Sequence, residues 1–125
     1  MELEKLTERV IGCAIQVHRQ LGPGFIESIY EKALIIELQN CNFEVQSQEE
    51  CHVYYDGIQV GTHRYDLLIE GQLLLELKAI SSLHDIDFAR TRSYLKALDL
   101  NHALLLNFAT MPLTIKRVIY DNNFK

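Results

Sequence analysis

Residues 64–78 read RYDLLIEGQLLLELK, two short apolar runs separated by Glu70-Gly71-Gln72. Apolar runs on either side of a three-residue connection that contains glycine are typical of a β-hairpin. If the two strands pair around Gly71, Asp66 lies opposite Glu76. Because side chains alternate between the faces of a strand, we expect one face to carry Asp66, Leu68, Leu74, Glu76 and Lys78. The other face is apolar and is expected to carry Tyr65, Leu67, Ile69, Leu73, Leu75 and Leu77.

Two facing carboxylates are the unusual chemical feature of this hairpin. Opposed side chains in a sheet lie about 5 Å apart, and like charges at that distance destabilise the pair. A divalent cation between them reverses the sign, and carboxylate oxygens suit Mg²⁺ or Mn²⁺. Lys78 would stand beside the metal and orient or deprotonate water, or offset charge on a phosphate. The alternative interpretation is a half-buried strand whose charges simply face solvent, because acid-x-lysine by itself is a weak signal.

Length and composition indicate one globular domain over residues 1–125. The chain is 48% hydrophobic and 23% charged, and it is long enough to bury a core without disulfide or metal staples. No apolar stretch approaches the ~20 residues of a membrane span, and the acidic N-terminus is unlike a signal peptide. Cys13, Cys41 and Cys51 are odd in number and lack metal-ligand spacing. We therefore expect free thiols in a reducing cytoplasm, with no membrane association.

The distribution of charge bears on possible partners. A formal net charge of −5 argues against strong non-specific binding to nucleic acid. Residues 1–60 hold ten acidic and four basic residues, whereas residues 61–125 hold seven acidic and eight basic residues. Several of these bases fall in or after the hairpin, namely Lys78, Arg90, Arg92 and Lys96. This distribution permits a positive rim around an acidic site without requiring one.

The remaining chain predicts helices packed on a sheet. Apolar residues at three- and four-residue spacing predict a helix over 3–20 and another over 26–40, separated by the Gly-Pro-Gly break. The second helix is expected to bury Ile29, Ala33, Leu34 and Leu38. Apolar or alternating runs predict strands at 43–48, 51–55, 58–60, 102–108 and 113–120.

A third helix is predicted over residues 83–98. Ser81-Ser82 offers an N-cap for it, and its inner face is expected to comprise Ile86, Ala89, Tyr94, Ala97 and Leu98. The order of elements is helix, helix, several strands, helix, strand, strand. It predicts an α/β fold, a central mixed β-sheet flanked by helices.

Several separated motifs match a known family in their order. The segment Gly24-Phe25-Ile26-Glu27-Ser28-Ile29-Tyr30 fits the signature G-x-x-E-x-x-Y, and it is followed by Arg64-x-Asp66, Glu76-Leu77-Lys78-Ala79, Tyr94-Leu95-Lys96 and Leu106-Asn107-Phe108. The chain resembles, over nearly its whole length, the GxxExxY proteins, small members of the PD-(D/E)XK nuclease-like superfamily. That resemblance implies a restriction-endonuclease-like core of helix, three strands, helix and strand, with a metal site on the central hairpin.

The resemblance also implies roles for individual residues. Asp66 and Glu76 would be the metal-binding acids of the second and third core strands, and Lys78 would be the catalytic lysine. The backbone carbonyl of Leu77 would complete the metal shell, and Glu27 would be the acid of the first helix. Without the resemblance, Glu27 is adequately explained as a solvated residue favoured by the helix dipole.

One position departs from the family pattern. Related nucleases often carry Gln-x-x-x-Tyr on the helix after the third strand, and here Arg90 precedes Tyr94 by four residues. Arg90 suits a bidentate phosphate contact, but it also fits a site that has drifted from catalysis. We take Arg64, Arg90 and Tyr94 as candidate substrate-binding residues. For Arg64, pairing with an acid is an equal alternative, and for Tyr94 core packing is the stronger one.

Two classes of function follow. The first is a Mg²⁺- or Mn²⁺-dependent nuclease that hydrolyses phosphodiester bonds of DNA, or of RNA, through Asp66, Glu76 and Lys78, with Glu27 as a further ligand. The second is a catalytically drifted module that binds nucleic acid or protein, which the acidic charge, the small size and Arg90 favour. The expected partner is nucleic acid, DNA more than RNA. Because a homodimer would double the footprint of so small a domain, dimerisation is a further hypothesis.

Overall fold

The computed structural model of the protein describes residues 1–122. The last three residues of the single domain predicted over 1–125 lie outside this range. In chain order the elements are α1 (Leu3–Leu21), α2 (Glu27–Asn40), β1 (Val45–Ser47), β2 (Glu50–Tyr55), β3 (Ile58–Arg64), β4 (Leu67–Ile69), β5 (Leu73–Lys78), α3 (Asp85–Leu98), β6 (His102–Asn107) and β7 (Thr114–Ile119).

Five of the strands form a mixed sheet in the order β1-β4-β5-β6-β7. Strands β5 and β6 are parallel and are joined by the crossover helix α3, whereas the other neighbours are antiparallel. Strands β2 and β3 pair only with each other; this two-stranded hairpin is called the ribbon below. The predicted α/β fold with a mixed sheet flanked by helices is therefore confirmed, and it is consistent with a PD-(D/E)XK nuclease core.

The predicted central hairpin is present in the predicted register. Leu67 pairs with Leu75 and Leu68 pairs with Leu74, so the turn is centred on Gly71. Glu70 and Gly71 both adopt positive φ angles, 54° and 65°, and the glycine tolerates this conformation without strain. The hairpin thus aligns Asp66, which immediately precedes β4, with Glu76 in β5.

Both faces of the sheet are covered, which explains the continuous leucine runs in β5 and β6. Leu67, Leu75 and Leu77 pack in one cluster with buried residues of α1 and α2. Leu68 and Leu74 pack on the opposite face with Tyr94 and Leu95 of α3. Buried apolar side chains on both faces hold the hairpin at the centre of the protein.

Tyr65 is on the face opposite to the predicted one. It packs with Leu68 in the cluster that includes α3. The alternation expected from the hairpin fails because strand pairing ends at Leu67. The backbone N–H of Tyr65 donates to the carbonyl of Glu49 (3.2 Å) instead of continuing the pairing with β5.

The helix boundaries are close to prediction, but two predicted faces are partly wrong. In α2 the buried residues are Tyr30, Leu34 and Leu38, whereas Ile29 is exposed. In α3 they are Asp87, Thr91, Tyr94 and Leu95, and Ile86 is exposed. Periodicity predicts that a helix has an apolar side, but the position of its neighbours decides which residues are covered.

The N-cap of α3 is His84 and not the predicted Ser81-Ser82. Asp87 completes a capping box in which its carboxylate accepts the backbone N–H of His84 (2.9 Å), so the helix begins at Asp85. Within residues 1–122, no helix combines the length and the apolar character that crossing a membrane requires.

Candidate active site

The two acidic residues of the central hairpin are in direct contact. The backbone N–H of Asp66 donates to Oε1 of Glu76 (3.2 Å), and Asp66 Oδ2 accepts the backbone N–H of Leu77 (2.8 Å). Asp66 is half-buried and Glu76 is buried. The hairpin register that was visible in the sequence therefore produces a carboxylate pair inside the protein.

Burial makes this pair electrostatically unfavourable. Burial, followed by the charge of Asp66, raises the pKa of Glu76 to about 8. The pKa of Asp66 is also raised by burial, against the opposing effects of the Leu77 N–H and the Lys78 ammonium group. Without a cation, the pair is thus stabilised by keeping a proton on Glu76 at neutral pH.

Lys78 lies at the same site and is held there by a second acid. Its Nζ is 3.9 Å from Oδ1 of Asp87, which is buried at 6% exposure. The other carboxylate oxygen of Asp87 caps α3, so one side chain joins the lysine to the start of the helix. Sequence reasoning missed Asp87; its only signal was an acid three residues after an N-cap, and histidine is an unusual N-cap residue.

Helix α2 contributes two further carboxylates. Glu27, the first residue of α2, is exposed at the surface. Partial desolvation and the charge of Asp66 nevertheless raise its pKa, and the charge of Lys78 lowers it. Burial and the charge of Asp66 also raise the pKa of Glu31, one turn later. The structure therefore brings Glu27 and Glu31 to the same side of the protein as the hairpin acids, a position that the helix dipole alone does not explain.

Gln48 connects α2 to the hairpin. Its amide Nε2 donates to Glu31 Oε1 (3.0 Å) and to Asp66 Oδ1 (3.4 Å). Its backbone N–H donates to the carbonyl of Asp66 (2.9 Å), and its φ angle is +51°. Gln48 was not predicted as a site residue, because the sequence pattern placed it in a strand over 43–48. The strand ends at Ser47, and Gln48 adopts a turn conformation instead.

The tyrosine of the G-x-x-E-x-x-Y signature, Tyr30, has a structural role, whereas the glutamate, Glu27, is a candidate site residue. The hydroxyl of Tyr30 donates to the carbonyl of Gly22 (2.6 Å) and accepts the N–H of Phe25 (3.1 Å). Its ring is fully buried and stacks on Phe108, with centroids 4.7 Å apart. Tyr30 therefore fixes the turn before α2, and this turn determines where Glu27 begins the helix.

Asn107 anchors the chain just after Lys78. It is fully buried, its Nδ2 donates to the carbonyl of Ile80 (2.9 Å), and its Oδ1 accepts the N–H of Ile80 (3.2 Å). Asn107 is paired with Lys78 in the sheet. The end of β5, where the lysine stands, is therefore firmly held from the neighbouring strand.

The three candidate substrate-binding residues differ in placement. Arg64 pairs with Glu50 (3.6 Å) and donates to the carbonyl of Gln48 (3.1 Å), which matches the alternative of pairing with an acid. Tyr94 is buried, and burial together with the charge of Glu76 raises its pKa. Arg90 is exposed on α3, and its charge opposes that rise in the pKa of Tyr94. Tyr94 thus lies near the acid pair, and Arg90 lies near Tyr94.

The carboxylates around Asp66 are suitable ligands for a hard cation, although they are not arranged as a complete metal site. Within residues 1–122, no three His, Cys, Asp or Glu side chains are grouped as metal ligands. The donors available beside Asp66 are oxygens, the type that Mg²⁺ prefers. Burial is the main cause that raises the pKa values of Asp66, Glu76 and Glu27, and a bound cation would compensate the negative charge of these groups.

The chain matches the family model of the PD-(D/E)XK nuclease superfamily over residues 4–118, a range that contains every candidate site residue. Nucleases of this superfamily are generally divalent-metal dependent. Comparison with curated proteins and with solved structures found no match. The match is to the superfamily as a whole, so the finer assignment to the GxxExxY proteins stays a prediction. The chain belongs to the PD-(D/E)XK nuclease superfamily.

Proposed function

We propose that this protein is a Mg²⁺- or Mn²⁺-dependent nuclease of the GxxExxY type that hydrolyses phosphodiester bonds in DNA, or in RNA. The observation that carries the proposal is the contact between Asp66 and Glu76 in the buried hairpin, with Lys78 two residues further along the strand. Burial of two acids destabilises a protein unless their charge is compensated. A divalent cation bound between them would compensate it.

Asp66, Glu76 and Glu27 would hold the ion through their carboxylates, and Leu77 through its backbone carbonyl. A strand residue directs its N–H and its carbonyl to the same side, and the Leu77 N–H points to Asp66. If β4 began at Tyr65, the N–H of Tyr65 would donate to the Leu77 carbonyl. It donates to the carbonyl of Glu49 instead. This departure from regular pairing supports Leu77 as a ligand.

When bound, a divalent ion would polarise the phosphate and lower the pKa of an attacking water. Lys78 would orient that water or offset charge on the phosphate, and Asp87, 3.9 Å from its ammonium group, would keep it in place. Arg90 would contact a phosphate oxygen from α3. Gln48 would orient Asp66 through its hydrogen bond to Oδ1.

The test is an incubation of the protein with single- and double-stranded DNA and RNA in the presence of Mg²⁺ or Mn²⁺. Glu76→Ala and Lys78→Ala should each lower the rate by at least about a hundredfold, the scale on which removal of a catalytic group acts. Glu70→Ala, in the turn of the same hairpin, is the matched control and should cleave like the wild type. Cleavage that survives Glu76→Ala would place the activity elsewhere and overturn the proposal.

A second candidate function is a drifted module that binds nucleic acid or protein without hydrolysis. Arg90 favours it, because the position is often Gln in related nucleases, and so does the pairing of Lys78 with Asp87. Titration with Mg²⁺ and Mn²⁺ by calorimetry separates the two functions. Binding that is lost in Glu76→Gln supports the nuclease, and the absence of binding in the wild type supports the module.

We further propose that residues 1–125 act as one domain in the cytoplasm, with DNA as the preferred substrate and a homodimer as the assembly. All three cysteines are free thiols, as is usual in a reducing compartment. Sedimentation of the full chain tests the dimer: a single species with the mass of a monomer, at every concentration tried, would rule it out.

A further inference from the structure

An open groove of about 510 Å³ lies between the ribbon and helix α3. The ribbon lines it with His52, Tyr54 and His63, and α3 lines it with Ser93 and Lys96. The acid pair is not part of this lining. The groove is therefore a separate surface feature, and its chemistry can be considered independently of the metal site.

The lining of the groove is aromatic and basic. Tyr54 is 60% exposed, so its ring is accessible to a ligand in the groove. Lys96 is exposed on the opposite wall, and two imidazoles lie beside them. None of the described residues that line the groove is acidic, although acids outnumber bases in the chain as a whole. The local charge is thus suited to an anion that carries flat rings.

Tyr94 is the buried residue that connects the lining of the groove to the central hairpin. One face of the groove ends at His63, whose ring meets the ring of Tyr94 edge-on with centroids 5.3 Å apart. Tyr94 also packs with Leu68 and Leu74 of the central hairpin, on the face that the hairpin alternation gives to Asp66 and Glu76. Along α3, Asp87 contacts Lys78, Arg90 follows, and Lys96 lies about 9 Å beyond Arg90 along the helix axis.

We propose that this groove binds one strand of nucleic acid and leads it to the acid pair, with a base stacked on Tyr54 and a phosphate paired with Lys96. This proposal rests on the proposed nuclease function, because it assigns the substrate of that site as single-stranded. Single-strand binding sites combine a basic groove with exposed rings on which bases stack.

A duplex fits the groove less well than a single strand. Proteins that bind duplex DNA tightly make on the order of six to ten phosphate contacts. Here the groove and its approach offer Lys96, Arg90 and Arg92 on α3, in a protein of net charge −5. Stacking on an exposed ring requires an unpaired base, and Tyr54 supplies the ring. The small number of cations and the exposed aromatic side chain together favour a single strand.

The experiment is equilibrium binding of fluorescent oligonucleotides of about 12 units to the full-length protein in EDTA. Single-stranded DNA, single-stranded RNA and a blunt DNA duplex of the same sequence are compared. Tyr54→Ala should raise the Kd of the preferred single strand about tenfold through loss of stacking. Lys96→Ala should raise it severalfold and reduce the slope of log K against log salt by about 0.7, the value for one phosphate contact on a single strand.

Two matched variants control for nonspecific effects. Tyr55→Ala removes the neighbouring ring, which is 72% exposed and does not line the groove. Lys5→Ala removes an exposed positive charge from α1, on the other side of the sheet. Both should bind like the wild type. A duplex that binds more tightly than either single strand overturns the proposal, as do equal losses in the control variants. Competition by polyglutamate as strong as that by the oligonucleotide overturns it too.

Failure of this proposal can be distinguished from failure of the nuclease. Binding in EDTA is independent of hydrolysis, so single-strand binding that depends on Tyr54 and Lys96 supports the groove even if no cleavage occurs. Conversely, Mg²⁺-dependent cleavage that is lost in Glu76→Ala, together with unchanged binding by Tyr54→Ala and Lys96→Ala, rejects the groove and leaves the nuclease standing.

Discussion

The central hairpin and the ribbon are both antiparallel β-hairpins of one chain, yet they differ in almost every physical respect. Every residue of β3 in the ribbon is exposed, whereas β4 is buried throughout and β5 is buried up to Lys78. The ribbon carries its ion pair, Arg64 with Glu50, in solvent. The central hairpin carries its acid pair inside the protein, where burial raises the pKa of both members.

This difference shows that burial, more than residue type, decides whether an acidic side chain needs a proton or a cation to compensate its charge. Glu50 and Glu76 are the same amino acid in strands of similar length. Only Glu76 lies in surroundings of low polarity, where an ion or a proton must compensate its charge. The ribbon in turn offers exposed tyrosine rings and two imidazoles, which suit reversible contact with a ligand. In the two proposals above, the central hairpin carries the reaction and the ribbon contributes to binding.

The largest expected difference between the hairpins is in stability. Leu75 is fully buried and Val60 is 62% exposed. Leu75→Ala should lower the free energy of unfolding by about 2–5 kcal/mol, because it removes buried methyl groups and leaves a cavity. Val60→Ala should change it by less than about 0.5 kcal/mol. Urea denaturation measures both, and a cost for Val60→Ala that approaches that of Leu75→Ala would mean that the ribbon is packed against something in solution.

An effect of similar size is expected from pH. In the unfolded chain the Glu76 carboxyl has its ordinary pKa of 4.5, whereas in the folded protein its pKa is about 8. Between these values the folded metal-free protein keeps a proton that the unfolded chain has lost, so stability falls as the pH rises and levels off above about 8. Since each tenfold change in proton affinity is about 1.4 kcal/mol, the loss from this residue should be at most about 5 kcal/mol.

Glu76→Gln isolates this contribution, because glutamine resembles the protonated acid and does not titrate. Unfolding curves of the two proteins in EDTA should agree near pH 4 and separate as the pH rises, with the variant the more stable near pH 8. Mg²⁺ should narrow the gap by stabilising the wild type alone. Parallel pH profiles for the two proteins would show that Glu76 is charged and accommodated without a cation, which would weaken the comparison with the ribbon.

The smallest effect is expected for the exposed ion pair of the ribbon. Arg64 and Glu50 have side-chain exposures of 63% and 48%, with 3.6 Å between their charged atoms. Exposed pairs contribute about 0–1 kcal/mol, so Arg64→Ala should lower the free energy of unfolding by no more than that. Thermal unfolding at low and high salt measures it. A loss well above this range would indicate that the hydrogen bond from Arg64 to Gln48 supports the acid site.

Local signals were sufficient for much of the fold. The hairpin at Gly71, the register that aligns Asp66 with Glu76, and the order of helices and strands all follow from short-range patterns of polarity and turn residues. Such patterns failed where the outcome depends on distant neighbours. Tyr65 leaves its expected face because Glu49 takes its N–H, and Ile29 and Ile86 are exposed because other residues of their helices meet the sheet.

The candidate site divides in the same way. The sequence by itself determined which acids and which lysine occupy the central hairpin, because strand pairing converts spacing along the chain into opposition in space. Only the tertiary structure decided that Asp87 holds Lys78, that Gln48 joins Asp66 to Glu31, and that the ribbon and α3 enclose a groove. These contacts join residues whose relative positions depend on how whole helices and strands pack. Burial is likewise a property of the packed protein, and it is the main cause of the raised pKa of Glu76.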